Sequence, residues 1–378
     1  MKTKVLSLAN TMGLFVEAHI ADLHFGATDP AEQYKILMDQ FVNVLRGMET
    51  LDIVSIDGDI FHHKFMANSD AIMYANMFVH ELAVVCQSKG ACLLIIAGTF
   101  EHDADQLKIF YPYLRGYGDV RIIQQVQFEY VKGKRILIIP ELYGKGKSYY
   151  DHFLFESGQY DACYLHGTFA GTIFGKDLPD LDSEREPVFC MEHFANCLGP
   201  IMAGHNHTPG CHDIYFYYCG CPYRWAFGQE EAKGFMILLH NIKTREHMVH
   251  FEPVYGFRYD TVNLDSMFDS DPQTVIQYIN ELQSQGIDHL RIQFTKNNEE
   301  LLAVLRTFYR TSGSVKIDAN FKNQEVMEEI HDLDAKYKDY DYLFGKSDPE
   351  SKLAQYINQR EGYAFITVDS LRKFLKSL

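Results

Sequence analysis

Five short stretches of this chain end an apolar run with side chains that bind metal ions. Ile20-Ala21-Asp22-Leu23-His24 supplies Asp-x-His, and Asp57-Gly58-Asp59-Ile60-Phe61-His62 supplies Gly-Asp and then a histidine. Gly98-Thr99-Phe100-Glu101-His102-Asp103 closes on a His-Asp pair. Leu165-His166-Gly167 holds one histidine, and Gly204-His205-Asn206-His207 gives Gly-His-x-His. Imidazoles mixed with carboxylates suit Mn²⁺, Fe²⁺ or Zn²⁺, whereas Ca²⁺ prefers oxygen alone. These ligands are too many for one four-coordinate zinc. Two ions about 3.5–4 Å apart, sharing one carboxylate, account for the number. Taken singly, Asp-x-His or His166 reads as an ordinary surface or core residue. Five pieces, each at the end of a strand-like run, read as one site.

The elements that must position these residues alternate in type. A strand is expected over 14–21, and Asp29-Pro30 then offers a helix N-cap and a first-turn proline, with Glu32 as capping-box partner. Tyr34, Leu37, Met38, Phe41 and Leu45 fall on one face of an amphipathic helix. Strands are expected over 52–56, 92–97, 121–125, 135–139, 162–165 and 201–203, and a second helix over 69–87. Alternation of this kind predicts an α/β layered domain, whose ligands gather at the carboxyl ends of the strands. Glycines beside the candidate ligands permit turns that bulkier residues resist.

After Tyr255 the texture changes. Leu290, Ile292 and Phe294 alternate within 289–295, and a helix over 298–309 and a strand over 315–317 complete a small β-α-β unit. Residues 322–342 read as a solvated helix or linker. Helices starting at Asp348-Pro349 and over 368–378 carry apolar faces suited to docking. The domains expected are 1–255, 256–325 and 326–378.

Composition sets the bounds. With 378 residues, 47% hydrophobic and 23% charged, the chain can bury a large core without staples and is not disordered as a whole. Neither a secretion signal nor a membrane span is expected. Eight cysteines form no C-x-x-C pair and read as reduced thiols. A net charge of −16 argues against gripping nucleic acid by bulk charge. It leaves room for an enzyme that reaches phosphates through bound cations. His63, His193 and His212 read as surface or core residues, and the 24 tyrosines and 27 phenylalanines as core.

The order Asp-x-His, Gly-Asp, His-Asp, His, Gly-His-x-His resembles that of the calcineurin-like metallophosphoesterases. Within them, His19 to Gly26, Gly58 to His62, and Tyr218-Cys219-Gly220-Cys221-Pro222-Tyr223-Arg224 with Phe227-Gly228 resemble motifs of SbcD-type DNA repair nucleases. The likeness covers roughly residues 15–255. It implies a four-layer αββα sandwich with a small α+β capping domain and C-terminal helices. One Mn²⁺ would be held by Asp22, His24, Asp59 and His207, and a second by Asp59, His166 and His205; Mg²⁺ or another divalent ion could replace manganese. His102 would orient the phosphate or protonate the leaving oxygen during in-line attack by water. Asp103 would fix the tautomer of His102, His62 would contact substrate or support the ligands, and Arg224 and Lys64 could touch DNA phosphates. The resemblance also implies an SMC-like ATPase partner on the C-terminal helices. A homodimer, with candidate interface helices near Tyr34 and Met73, and a cytoplasmic location (the host's, for a viral version) follow likewise. The third motif departs from the family's Gly-Asn-His-Asp by two extra residues, and the asparagine's place is open to Glu101, Thr99 or water. The rival readings are a phosphoesterase on small nucleotides or phosphoproteins, and a non-catalytic scaffold.

Overall fold

The computed structural model describes residues 14–172, 178–213, 215–229, 231–295 and 298–319. The linker and helices expected beyond 321 lie outside the described residues. The chain divides into two units between Tyr259 and Asp260, four residues beyond the expected boundary.

The first unit is mixed α/β. Strands β1 (Phe15–Ile20), β2 (Ile53–Asp57), β3 (Cys92–Ile96) and β4 (Asp119–Ile123) run parallel in that order. A second sheet is led by β5 (Gln127–Val131), antiparallel to β6 (Lys134–Ile139). Strand β6 is parallel to β7 (Ala162–His166). A two-stranded ladder, β8 (Thr168–Phe169) with β9 (Val188–Phe189), leads to β10 (Ile201–Gly204), which pairs with β7 in parallel. Strands β11 (Gly210–Asp213) and β12 (Phe216–Tyr218) complete the second sheet, while β13 (Gly234–His240) and β14 (His247–Pro253) extend the first on the far side of β1. These last four, with β5, β8 and β9, are additions to the strands expected from sequence.

Alternate residues of each central strand face opposite ways, which is why the strands read as continuous apolar runs. Val16, Ala18, Leu93 and Ile95 pack under helices. Cys92, Leu94 and Ile96 share a different core with Ile136, Ile138, Tyr164 and Met202 of the second sheet. Leu137, Ile139, Cys163 and Leu165 face a third core with Tyr150, Leu154 and Phe189.

Helix α1 (Pro30–Leu37) starts where expected, with the Asp29 carboxylate accepting from the N–H groups of Ala31 and Glu32. It passes into a π-turn at Met38–Val42 before closing as Asn43–Gly47. The wider turn inserts a residue into the helical phase, and the neighbours Phe41 and Val42 are both buried. Helix α2 (Asp70–Lys89) is capped by Ser69, whose hydroxyl accepts from Ile72 N–H, and ends at Gly90 in the left-handed region. Ala75, Phe78, Val79 and Leu82 bury its apolar face.

In the second unit, β15 (Tyr259–Asn263), β16 (His289–Phe294) and β17 (Val315–Ala319) form a sheet in that order, with β16 and β17 parallel as expected. Helices α3 (Pro272–Ser284) and α4 (Glu299–Phe308) supply Val275, Ile279, Leu301 and Leu305 to a core with Leu290, Ile292 and Phe294. No helix among the described residues is long and apolar enough to cross a membrane.

Candidate metal centre

The ends of six parallel strands converge on one crevice of the first unit. Asp22 stands two residues past β1, Asp59 two past β2, and Thr99 three past β3. Glu141 stands two past β6, His166 ends β7, and His205 directly follows β10. The backbone there is strained. Among the described non-glycine residues six have positive φ, and four of them are Asp22 (53°), His24 (44°), Asp59 (53°) and His205 (93°). Such conformations cost on the order of 1 kcal/mol each and persist where their surroundings enforce them. Gly98 is required here for another reason: a Cβ on it would lie 2.2 Å from Asp59 Oδ1.

Among the described residues, three sets of donor atoms each lie within 4.8 Å of one another: Asp22, His24 and His207; Asp59, His166 and His205; and His24, His62 and His102. The first two sets follow the division between two ions that the family resemblance implied. Asp59 Oδ2 lies 3.9 Å from His24 Nε2 and 3.4 Å from His166 Nε2, between the two sets. His24 Nε2 and His207 Nε2 are 3.0 Å apart, so a single proton or cation must lie between their lone pairs. Burial, together with the charges of neighbouring histidines, holds His24 well below the usual imidazole range, and burial takes His207 down to about 4. Both are thus neutral imidazoles with lone pairs to give. His166 Nδ1–H donates to the Asp57 carbonyl at 2.7 Å, which turns Nε2 toward the carboxylates. Nε2 is buried without a hydrogen-bond partner, as is Glu141 Oε1. Three carboxylates and four imidazoles with orphaned buried atoms fit a borderline divalent ion such as Mn²⁺, Fe²⁺ or Zn²⁺.

Glu141 is the residue that the sequence reading missed. Its Oε2 lies 3.3 Å from His205 Nδ1 and 3.7 Å from His166 Nε2. The Thr99 hydroxyl stands 3.1 Å from Glu141 Oε2 and 3.3 Å from Asp59 Oδ2, and Thr99 N–H donates to Asp59 Oδ1 at 2.6 Å. The carboxylate near the second set therefore comes from the end of β6. Glu101 does not join it: exposed, it accepts from the Tyr143 hydroxyl at 3.2 Å. The signal was present, since Pro140-Glu141 follows the expected strand at 135–139 as the other ligands follow theirs.

His102 sits beside the ligands, its Nε2 3.9 Å from Asp59 Oδ2. Its tautomer is set by the carbonyl of His62, to which Nδ1–H donates, rather than by Asp103. Asp103 is fully buried and accepts from the N–H groups of Gly98, Asp59, Ile60 and Phe61. It ties the Asp59 loop to its own. Burial and the Asp59 charge push the Asp103 carboxyl up to about 7. His62 lies near the ligands, with its ring 5.6 Å from that of His24; burial and the His102 charge lower its pKa.

Arg224 and Lys64 fall outside all three donor sets. Half-buried Arg224 lines a separate cavity of about 280 Å³ with Glu231, Lys233 and Arg258. Exposed Lys64 stands 4.5 Å above the Phe100 ring. Further supports went unread in the sequence. Gln33 donates to the His24 carbonyl at 3.0 Å, Lys233 donates to the His207 carbonyl at 2.8 Å, and the Trp225 ring lies 5.1 Å from those of both His24 and His62.

No family model matches the sequence, and no curated protein does. Among solved structures 26 chains match. One of them is 9% identical and aligns over 63% of this chain and 99% of its own, with a TM-score of 0.37. A likeness of that size carries no argument about fold or activity.

Proposed function

We propose that the protein is a two-metal phosphodiesterase acting on DNA, a manganese-dependent nuclease of the SbcD type. The observation that carries this reading is the convergence of Asp22, His24, Asp59, Glu141, His166, His205 and His207 at the strand ends, with His102 alongside. On this reading the paired sheets and their helices form a four-layer calcineurin-like sandwich, and the unit after Tyr259 is its cap. Bound at the two donor sets, the ions would neutralise charge on a scissile phosphate and acidify the attacking water. The protein's own groups do the rest. Asp59 serves both sets, the Asp57 carbonyl aims His166, and Gln33 and Lys233 fix the loops that carry His24 and His207. With its Nδ1–H engaged by the His62 carbonyl, His102 keeps Nε2 for a phosphate oxygen or for the proton of the leaving group.

DNA, an SMC-like ATPase and a second copy of the chain are the partners in this proposal, and the net charge of −16 fits DNA grip supplied by ions and partner. Exposed Met73 and Met77 on α2 are candidates for contact between copies. The test is degradation of end-labelled linear duplex DNA in Mn²⁺ by wild type and His102→Ala. Loss of full-length DNA with the wild type alone is expected. No cleavage, even with the ATPase partner and excess Mn²⁺, overturns the nuclease and favours a small-nucleotide phosphoesterase or a scaffold.

A further inference from the structure

The loop that departs from the family pattern builds a second feature beside the metal centre. A cavity of about 550 Å³ opens from Gly98 and Glu141 and runs outward between Phe100, Gln124, Gln125 and Tyr143. Phe100 is one of the residues added to the third motif, and its ring is 57% exposed. Lys64 stands over that ring, and Lys145 lies at the cavity wall. Tyr143 joins the inner and outer parts: its hydroxyl donates to Glu101 on the rim, and Glu141 at the metal centre also acts on it.

We infer that this cavity binds a nucleobase of the substrate, on one side of the scissile phosphate, with Phe100 as its stacking platform. The inference rests on the phosphodiesterase reading for the place of that phosphate. An exposed ring at a crevice wall offers a π-face that every base can use. The exposed Gln125 side chain carries a donor and an acceptor, which suits a base edge without selecting one base, while Gln124 Oε1 already accepts from the Tyr111 hydroxyl at 3.0 Å. The volume accommodates a base with its sugar; Asp105 and Glu141 also line the cavity, so the phosphate belongs at its Lys64 edge. The extra length of the third motif thus places an aromatic side chain where the shorter pattern has none.

Calorimetry on the full chain in Mn²⁺ tests this with two probes, dAMP and 2-deoxyribose 5-phosphate. The wild type is expected to bind dAMP roughly tenfold more tightly than the sugar phosphate, the scale of one stacked base. Phe100→Ala, at an exposed position, should erase the difference, and Phe100→Trp should keep it. Equal binding of the two probes by the wild type overturns the base site, even where DNA cleavage upholds the phosphodiesterase. So does a difference that survives in Phe100→Ala. A preference lost in Phe100→Ala upholds the base site, even in a protein that cleaves no DNA.

Discussion

Two polar regions lie between the sheets of the first unit, carried partly by the same strands. Along β1 and β2, from mid-strand to the last residue of β2, Glu17, His19, Ser55 and Asp57 meet Lys134 of β6 and Tyr164 of β7, all fully buried. At the ends of these strands lie Asp22, Asp59, Glu141, His166 and the other candidate ligands. The mid-strand region is neutralised from within. Lys134 pairs with Glu17, His19 Nδ1 lies 2.9 Å from Asp57 Oδ2, and the Tyr164 hydroxyl donates to Glu17. The strand-end region has a surplus of carboxylates. His24 Nδ1, His166 Nε2 and Glu141 Oε1 are buried without hydrogen-bond partners; His19 Nε2 of the mid-strand region also has none, but it lies 3.5 Å from Glu17 Oε2. Burial opposes a charge on His166, but Asp59, Asp22 and Glu141 outweigh it and raise its pKa well above the usual range. A field of that sign seeks a cation. Buried charge therefore marks a site only where the chain has not supplied the counter-charge itself.

Removing one carboxylate from each region would break that comparison most directly. Asp59→Asn takes away the group between the two donor sets, so both ions should be lost on dialysis and DNA cleavage should fall ~10³-fold. Elemental analysis and the end-label assay measure these, and a variant that keeps two ions refutes the role given to Asp59. Glu17→Gln should do the reverse: full ion content in the folded protein, but a stability loss of about 3–5 kcal/mol, since Lys134 is left buried without its partner. Urea denaturation reads that loss.

A narrower prediction separates Glu141 from Glu101. Glu141→Gln should weaken the second ion about 10–100-fold and leave the first in place, as expected for a tuning carboxylate. Glu101→Gln, at an exposed position, should change neither. Mn²⁺ titration followed by electron paramagnetic resonance distinguishes the two sites, and equal effects of the two variants would return Glu101 to the centre.

The contrast also shows what could be read from residues alone. Asp22, His24, Asp59, His166, His205 and His207, and the strands that end at them, were legible because ligand follows apolar run in one local grammar. Glu141 obeys the same grammar, but a lone glutamate after Ile139-Pro140 resembles any surface acid until β6 is seen to end beside β7. The roles of Asp103 and His62 depended on which carbonyl meets the His102 ring, a contact across 40 residues that no spacing encodes. The π-turn in the first helix was hidden as well, because its residues keep an amphipathic pattern on either side of the inserted turn. Alternation in β16 was plain, since only one of its faces is fully buried.

The smallest effect expected is a pH dependence of stability to which the mid-strand region contributes through His19. Burial lowers the affinity of His19 for its proton, but Asp57 and Glu17 overcome it and raise its pKa to about 9, against an ordinary value near 6.5. The stabilisation that this proton contributes is complete below the unfolded value and is lost as pH rises through 9. Asp22 and Asp103 also have raised pKa values, but these are about 7, so their influence on stability no longer changes above that pH. Between pH 7 and 9 the melting temperature should therefore fall by several degrees in the wild type, and His19→Gln should lessen this slope, the remainder coming from His166, whose pKa is likewise raised. Glu17, lowered to about 2 chiefly because the Lys134 charge offsets its burial, gives the opposite arm, with stability lost only in strong acid. An equal slope in wild type and His19→Gln from pH 7 to 9 would mean that the buried imidazole carries no charge. The mid-strand region would then have an unmatched carboxylate of its own.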